Sequence, residues 1–334
     1  MGAIRFGVMT VALLSVGVAA CADDRPEAAD QPSTTTSAAE VTPSQAQPAI
    51  APRGETVDVM ISTPDGRERT AHLYVPASLP AEPVPLLVAL HGGTGSGPQF
   101  EGTSGYDGLA EANAFLVVYP DGVGSGGDED RFRTWNGGVC CGAAAAQDVD
   151  DVSFLVQLVE QLSGEYAIDS DRIYATGHSN GMIMSYRLLC EAADVFVAAA
   201  GQAGTLGVDG CAPSQPVSLL HIHGDEDTNL PINGGPGDGI SRTDFPSPRD
   251  GIRTLADGDG CDADPAVTSA PPVTTETWAG CDGSATVAFV TVAGASHAWM
   301  GADAKTRPGA AEPFSDYDSS LASWTFLATH PRAG

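Results

Sequence analysis

The chain has 334 residues, with 15 Lys and Arg against 43 Asp and Glu, a formal net charge of -28. Such a field repels phosphate backbones and anionic lipid headgroups, which argues against nucleic-acid binding and electrostatic membrane docking. A hydrophobic share of 42% with 17% charged residues argues against a chain that is disordered throughout.

The N-terminal segment is unlike the rest. Arg5 is the only charge ahead of an almost wholly apolar run from Phe6 to Ala20. The run is short for a membrane span and matches the h-region of a secretory signal. It ends Val18-Ala19-Ala20-Cys21, which resembles the lipobox of bacterial lipoproteins, with Cys21 as the lipid-attachment residue. Ala20-Cys21-Ala22 also fits a simple A-x-A signal cleaved after Ala22. Either reading exports the mature chain, anchored by lipid to the outer face of a membrane or secreted. Residues 22–53 are Ala, Pro, Ser, Thr, Gln and acids without an apolar period, which predicts a flexible linker. A coil of that length reaches about 30 Å. The expected organisation is therefore a leader at 1–21, a linker at 22–53 and a folded domain at 54–334.

From Gly54 onward, apolar runs alternate with helical patterns. Thr56–Ser62 and Ala71–Val75 alternate in polarity like paired edge strands. Leu86–Leu90 and Phe115–Tyr119 are continuously apolar, as in strands buried on both faces. Arg172–Thr176, Phe196–Ala200, Val217–Ile222 and Thr286–Val292 continue the strand series. Tyr106–Ala114, Asp151–Tyr166, Asn180–Ala193 and Asp316–His330 carry helical spacing. This alternation predicts an α/β protein whose central sheet is mostly parallel, with helices on both faces. Asn233–Gly283, rich in Gly, Pro and Thr, is expected to form loops at the edge of the site.

Four stretches carry the chemistry. Gly177-His178-Ser179-Asn180-Gly181 follows a predicted strand and opens a predicted helix, the context in which a G-x-S-x-G serine becomes a nucleophile. The helix N-terminus would stabilise negative charge beside Ser179. The acid is expected in the loop after the strand ending at Ile222. There Asp227 fits His223-Gly224-x-x-Asp227-x-x-Leu230-Pro231, with Asp225 and then Glu226 as alternatives. The order nucleophile, acid, histidine leaves His297 and His330 as candidate bases. His297 follows a strand directly, whereas His330 sits at a helix end near the C-terminus. His91-Gly92-Gly93-Thr94-Gly95 follows a buried strand and would supply one oxyanion N–H, from Gly93 or Thr94. The other would come from Asn180. His91 itself is expected to be structural. Trp135 and Trp299 are candidate walls of a substrate cleft, with core packing as the alternative.

These stretches together resemble the secreted poly(3-hydroxybutyrate) depolymerase and feruloyl-esterase group of α/β-hydrolases. The resemblance runs from about Thr56 to the end. It is carried by Leu90–Ser96 (LHGGTGS), Val118–Gly122 (VYPDG), Thr134–Gly142 (TWNGGVCCG), Asp148–Leu155 (DVDDVSFL), Asp169–Met182 (DSDRIYATGHSNGM), His223–Pro231 (HGDEDTNLP) and Gly294–Gly301 (GASHAWMG). Met182 and Met300 stand where many members of that group have Gly and Pro; Met300 is expected to affect the pocket wall.

The resemblance implies a serine esterase with Ser179 as nucleophile, His297 as base and Asp227 orienting it. The substrate would be a neutral ester, small or polymeric. Polyhydroxyalkanoate-type or short-acyl esters come first, and feruloyl or acetyl-xylan esters of plant polysaccharide are the alternative. A serine peptidase or a catalytically silent binding lipoprotein are more distant readings. No cofactor, metal or nucleic-acid partner is expected, since no zinc-type spacing, P-loop or dinucleotide fingerprint is present. Apart from Cys21, six cysteines in an exported chain point to disulfides. Cys190–Cys211 and Cys261–Cys281 would each close a short loop. Cys140 and Cys141 are left to pair with one another or with other cysteines.

Overall fold

Strands and helices alternate along the chain, and they assemble into one sheet covered on both faces. The structure is a computed structural model that describes residues 54–125, 131–303 and 310–333. The leader with Cys21 and the linker at 22–53 lie outside the described residues.

The antiparallel pair β1 (Glu55–Ser62) and β2 (Glu68–Val75) opens the fold. Then follow β3 (Val84–Leu90), α1 (Gly97–Ser104), α2 (Tyr106–Asn113), β4 (Leu116–Pro120), α3 (Gly142–Ala146) and α4 (Asp151–Glu165). The central part is β5 (Ile168–His178), α5 (Asn180–Glu191), β6 (Ala198–Gln202) and β7 (Ser218–Gly224). The two-residue strands β8 (Gly235–Pro236) and β9 (Asp244–Phe245) pair with each other. Last come α6 (Pro248–Gly258), β10 (Ala266–Ala270), β11 (Val273–Trp278), β12 (Val287–Val292) and α7 (Ser319–Leu327). The main sheet has ten strands in the order β1-β2-β4-β3-β5-β6-β7-β12-β11-β10. Its six central strands, β4 to β12, run parallel, and an antiparallel pair closes each edge.

The alternation of side chains across a strand explains the two layers. On β3, Leu86, Val88 and Leu90 enter one apolar core, while Leu87 and Ala89 enter the other. The first core is closed by Phe154, Leu158 and Leu162 of α4, Leu188 and Leu189 of α5, and Ile252 and Leu255 of α6. The second is closed by Phe100 of α1, Tyr106 of α2, and Trp324 and Leu327 of α7. Burying each such side chain stabilises the fold by about 1.5–3 kcal/mol, which is why most residues on both faces of the central strands are apolar. This is the expected α/β-hydrolase layering.

Asn233–Gly283 departs from the expected loops. It contains α6 and the hairpin β10–β11, which extends the main sheet through β12. α6 starts at Pro248 and buries Ile252, Leu255 and Ala256 along one face. Every residue of β10 is exposed, so no apolar alternation marks that strand in the sequence. Cys190–Cys211 and Cys261–Cys281 are disulfides, and the neighbours Cys140 and Cys141 pair with each other.

One buried ion pair ties the edge of the sheet to the site side. Arg69 on β2 donates to the Asp151 carboxylate at the start of α4 at 2.8 Å, and to the Asp121 carbonyl at 3.0 Å. The other Asp151 oxygen accepts the Asn136 N–H at 2.8 Å. The Arg69 guanidinium also lies 4.0 Å from the Phe154 ring centre.

Candidate active site

Ser179 is the single residue between the end of β5 and the start of α5. It sits at φ 53°, ψ -119°, a strained backbone for a residue with a side chain. The surroundings hold it there. Its N–H donates to the Gln202 carbonyl at 2.9 Å, and its own carbonyl accepts from Met182 and Ile183 at 2.9 and 3.0 Å. The flanking glycines are sterically required. A Cβ at Gly177 would strike the backbone of Gly181, and one at Gly181 would strike the Leu90 carbonyl.

The sheet order then brings distant residues together. His297 Nε2 lies 2.9 Å from Ser179 Oγ, and His297 Nδ1 lies 2.7 Å from Asp227 Oδ2. The second Asp227 oxygen accepts the N–H groups of Asn229 and Leu230 at 2.9 and 3.0 Å. Asp227 is fully buried, and burial alone would raise its pKa. The charge of His297 and the hydrogen bonds from His223 and His297 prevail and hold the carboxyl well below the usual range. Asp225 does something different. Its carboxylate accepts the Gly294 N–H at 2.7 Å, in the turn that leads to His297. His330 instead packs on Phe326 of the last helix and contacts its carbonyl.

The glycine loop after β3 faces the first turn of α5. Thr94, at φ 69°, donates its N–H to the Arg133 carbonyl at 2.8 Å, so that group is already engaged. Gly93 stands beside Asn180, with a built Cβ 3.7 Å from that of Asn180. The Asn180 side chain exchanges hydrogen bonds with Trp135, accepting from its N–H at 2.8 Å and donating to its carbonyl at 3.0 Å. His91 is structural, as expected. Its Nε2 accepts from Gly122 N–H at 2.9 Å, and its Nδ1 faces the Gly92 carbonyl at 2.8 Å. Burial lowers its pKa to about 4.

Neither tryptophan lines a cleft. Trp135 is fully buried, with its indole N–H on the His91 carbonyl at 3.0 Å. Trp299 is 1% exposed, with its N–H on Ser320 Oγ at 3.0 Å and its ring edge-on to Phe100. Both find an apolar slot and a polar partner for the indole nitrogen, the arrangement in which a large aromatic gains most from burial. Met300 is buried as well and does not form a pocket wall, and Met182 is buried inside α5.

Two residues that sequence reading passed over hold the segment carrying His297. His178 Nε2 lies 2.7 Å from the His297 carbonyl. Burial and the charge of His297 lower its pKa to about 4, so His178 is neutral near pH 7 and acts as a donor here. Gln202 is fully buried at the end of β6. Its amide donates to the Ala298 carbonyl at 2.7 Å, and its oxygen accepts from Met300 N–H at 3.0 Å and Ser319 Oγ at 2.7 Å. The elbow motif includes His178 but gives it no role, and nothing in the sequence marks Gln202. Among the described residues, no group of three His, Cys, Asp or Glu is placed to hold a metal ion, and no helix is long and apolar enough to cross a membrane.

Residues 70–220 match the family model described as Esterase PHB depolymerase. The chain is 32% identical over 221 residues to feruloyl esterase B of Piromyces equi, covering 64% of this chain and 39% of that protein. It is 29% identical over 338 residues to the putative esterase NocK of Nocardia uniformis subsp. tsuyamanensis, covering 92% and 93%. The chain thus spans well under two thirds of the first of these relatives and nearly all of the second. Among solved structures, acetyl xylan esterase from Aspergillus awamori superposes with a TM-score of 0.54 at 18% identity, over 72% of this chain and 94% of that one, which is a likeness of fold. The elbow, the sheet order and the matched segment agree: the fold is that of an α/β-hydrolase, and residues 70–220 are similar to the Esterase PHB depolymerase family.

Proposed function

We propose that the chain is an exported serine carboxylic-ester hydrolase working through an acyl-enzyme. The observation that carries the reading is the bridge made by His297, 2.9 Å from Ser179 Oγ on one side and 2.7 Å from Asp227 on the other. A carboxylate accepts only, so Asp227 fixes the proton of neutral His297 on Nδ1 and leaves Nε2 as the acceptor. Ser179 Oγ attacks the ester carbonyl as its proton passes to Nε2. The tetrahedral oxyanion is received by the backbone N–H groups of Gly93 and Asn180 at the positive end of α5. His297 returns the proton to the leaving alcohol, then takes one from the water that attacks the acyl-enzyme and gives it to Ser179 Oγ as the carboxylic acid leaves.

The substrate is a neutral ester of the polyhydroxyalkanoate or short-acyl kind. The acidic chain disfavours anionic esters and helps expel the carboxylate product. The names of the relatives support a second reading, a feruloyl or acetyl-xylan ester of plant polysaccharide. Cys21 is the lipid-attachment candidate, with 22–53 as its tether and 54–334 as the hydrolase domain. The test is turnover of p-nitrophenyl acetate, methyl ferulate, acetylated xylan, short polyhydroxyalkanoate and peptide anilides by parent and Ser179→Ala proteins. Ester cleavage that disappears with Ser179 is the expected result. Full ester turnover by Ser179→Ala, or cleavage of the anilides alone, overturns the reading.

A further inference from the structure

Asp227 is held from a direction that the Ser179–His297–Asp227 bridge does not include. His221 and His223 alternate on β7, so they share one face of the sheet, and both are fully buried. Tyr186 of α5 places its hydroxyl 2.8 Å from His221 Nδ1. His221 Nε2 lies 2.8 Å from His223 Nδ1, with the two rings nearly parallel. His223 Nε2 ends the row, 2.9 Å from the Leu230 carbonyl and 3.4 Å from Asp227 Oδ2. That Asp227 oxygen is the one facing His297 Nδ1.

The direction of every bond in this row follows from its last member. A carbonyl oxygen only accepts, so His223 Nε2 carries a proton. If His223 is neutral, its Nδ1 accepts and His221 Nε2 donates. His221 Nδ1 then accepts, and Tyr186 O–H donates to it. Burial holds His221 well below the usual histidine range, so His221 has one proton to place. A doubly protonated His223 would reverse His221 and deprive the Tyr186 proton of its acceptor. The far side of the row is Phe289, which stacks on His221 at 5.0 Å and is itself covered by the Arg249 guanidinium at 4.6 Å.

We propose that His223 is a positioning residue for Asp227, oriented by a one-way row of hydrogen bonds from Tyr186 through His221 that ends on the Leu230 carbonyl and Asp227 Oδ2. The inference rests on the serine-esterase reading above. With Asn229 and Leu230 N–H on one carboxylate oxygen and His223 on the other, the plane of Asp227 is fixed before His297 contacts it. The row also gives α5 a second connection to the acid, since Ser179 opens the helix that carries Tyr186.

The experiment has two arms. Nitrogen-15 spectra of the histidine rings are recorded near pH 7 on Ser179→Ala protein, with His223→Gln for assignment. Neutral rings protonated on Nε2 at both His221 and His223 are expected; a His223 imidazolium, or a proton on its Nδ1, overturns the proposal. This arm reads the row whether or not Ser179 proves to be the nucleophile. In the second arm, His223→Leu should lower kcat about 100-fold with KM little changed, the size expected when a positioned group drifts. His223→Gln, which keeps a donor near the Nε2 position, should recover most of that loss. Equal kcat in His223→Leu and parent overturns the positioning role. Should His223→Leu fail to fold, the tautomers and the kcat of His223→Gln decide: a His223→Gln protein as inactive as Ser179→Ala overturns it too.

Discussion

The Gln202 carbonyl accepts the N–H of Ser179 at 2.9 Å, while the Gln202 side chain holds the backbone at Ala298 and Met300, beside His297. One residue on β6 therefore bridges the strained elbow and the segment that bears His297. Gln202→Leu keeps the backbone bond and leaves the part-buried Ala298 carbonyl, the buried Met300 N–H and the buried Ser319 hydroxyl without that partner, each buried group costing about 1–3 kcal/mol. We expect a clear fall in Tm and a loss of about 100-fold in kcat/KM. A Gln202→Leu protein as active as the parent would show that the elbow and the base segment hold their spacing without it.

Asp227 and Asp225 are two residues apart and do different things. The Asp227 carboxylate meets the His297 ring, whereas the Asp225 carboxylate accepts from the Gly294 backbone. Asp227→Asn should lower kcat by roughly 10⁴, because an amide can donate to Nδ1 and stabilise the wrong tautomer. Asp225→Asn keeps an oxygen able to accept from Gly294, so its kcat should stay within a few-fold of the parent. Steady-state kinetics with one p-nitrophenyl ester separates the two. Equal losses would mean that the turn at Gly294, rather than the ring contact, governs the rate.

The residues legible in the sequence are those whose signal is local. Leu86–Leu90 reads as a buried strand because both of its faces are covered, and Ser179 reads as a turn serine because strand, glycine and helix adjoin it. Chain order narrows the base to His297 and His330 and the acid to the loop after Ile222; the H-G-x-x-D spacing and the strand directly before His297 favour Asp227 and His297. Gln202, His178 and His223 are not legible as positioning groups, since their partners depend on β5, β6, β7 and β12 lying side by side; His178 and His297 are 119 positions apart. β10 escapes because its residues are all exposed and carry no alternation. Trp135 and Trp299 mislead for the opposite reason: they stand next to site motifs in sequence, yet their rings turn into the two cores.

Arg69 and Asp151 should show the energetics of a buried pair. Burial raises the Asp151 pKa, and Arg69, the strongest opposing influence, together with the Asn136 N–H, offsets part of that shift. Removing one partner strands the other, so Asp151→Ala should cost about 3–5 kcal/mol in urea unfolding. Replacing both with apolar residues of similar size, Arg69→Met with Asp151→Leu, should recover much of the loss. A double variant as unstable as the single would mean that Asn136 and Asp121, which share this network, dominate instead.

Asp259 gives a pH-dependent prediction whose sign can be worked out. It is buried beside the Cys261–Cys281 disulfide and accepts the Val217 N–H at 3.1 Å. Burial pushes its pKa from 3.8 up to about 6; the Val217 bond opposes this and the neighbouring Asp282 adds to it. The folded state thus holds this proton more tightly than the unfolded state. Its ionisation carries no penalty below about pH 3.8, a growing one as pH rises towards 6, and a constant one above that. Asp259→Asn keeps an oxygen for Val217 and cannot ionise. Other titrating groups largely cancel in the comparison with the parent, so the Tm of Asp259→Asn minus that of the parent should rise between pH 4 and 6 and then level off. Scanning calorimetry at pH 4, 5, 6 and 7 measures that difference. A difference that stays flat across the series would show that Asp259 ionises in the folded protein as it does in the unfolded chain.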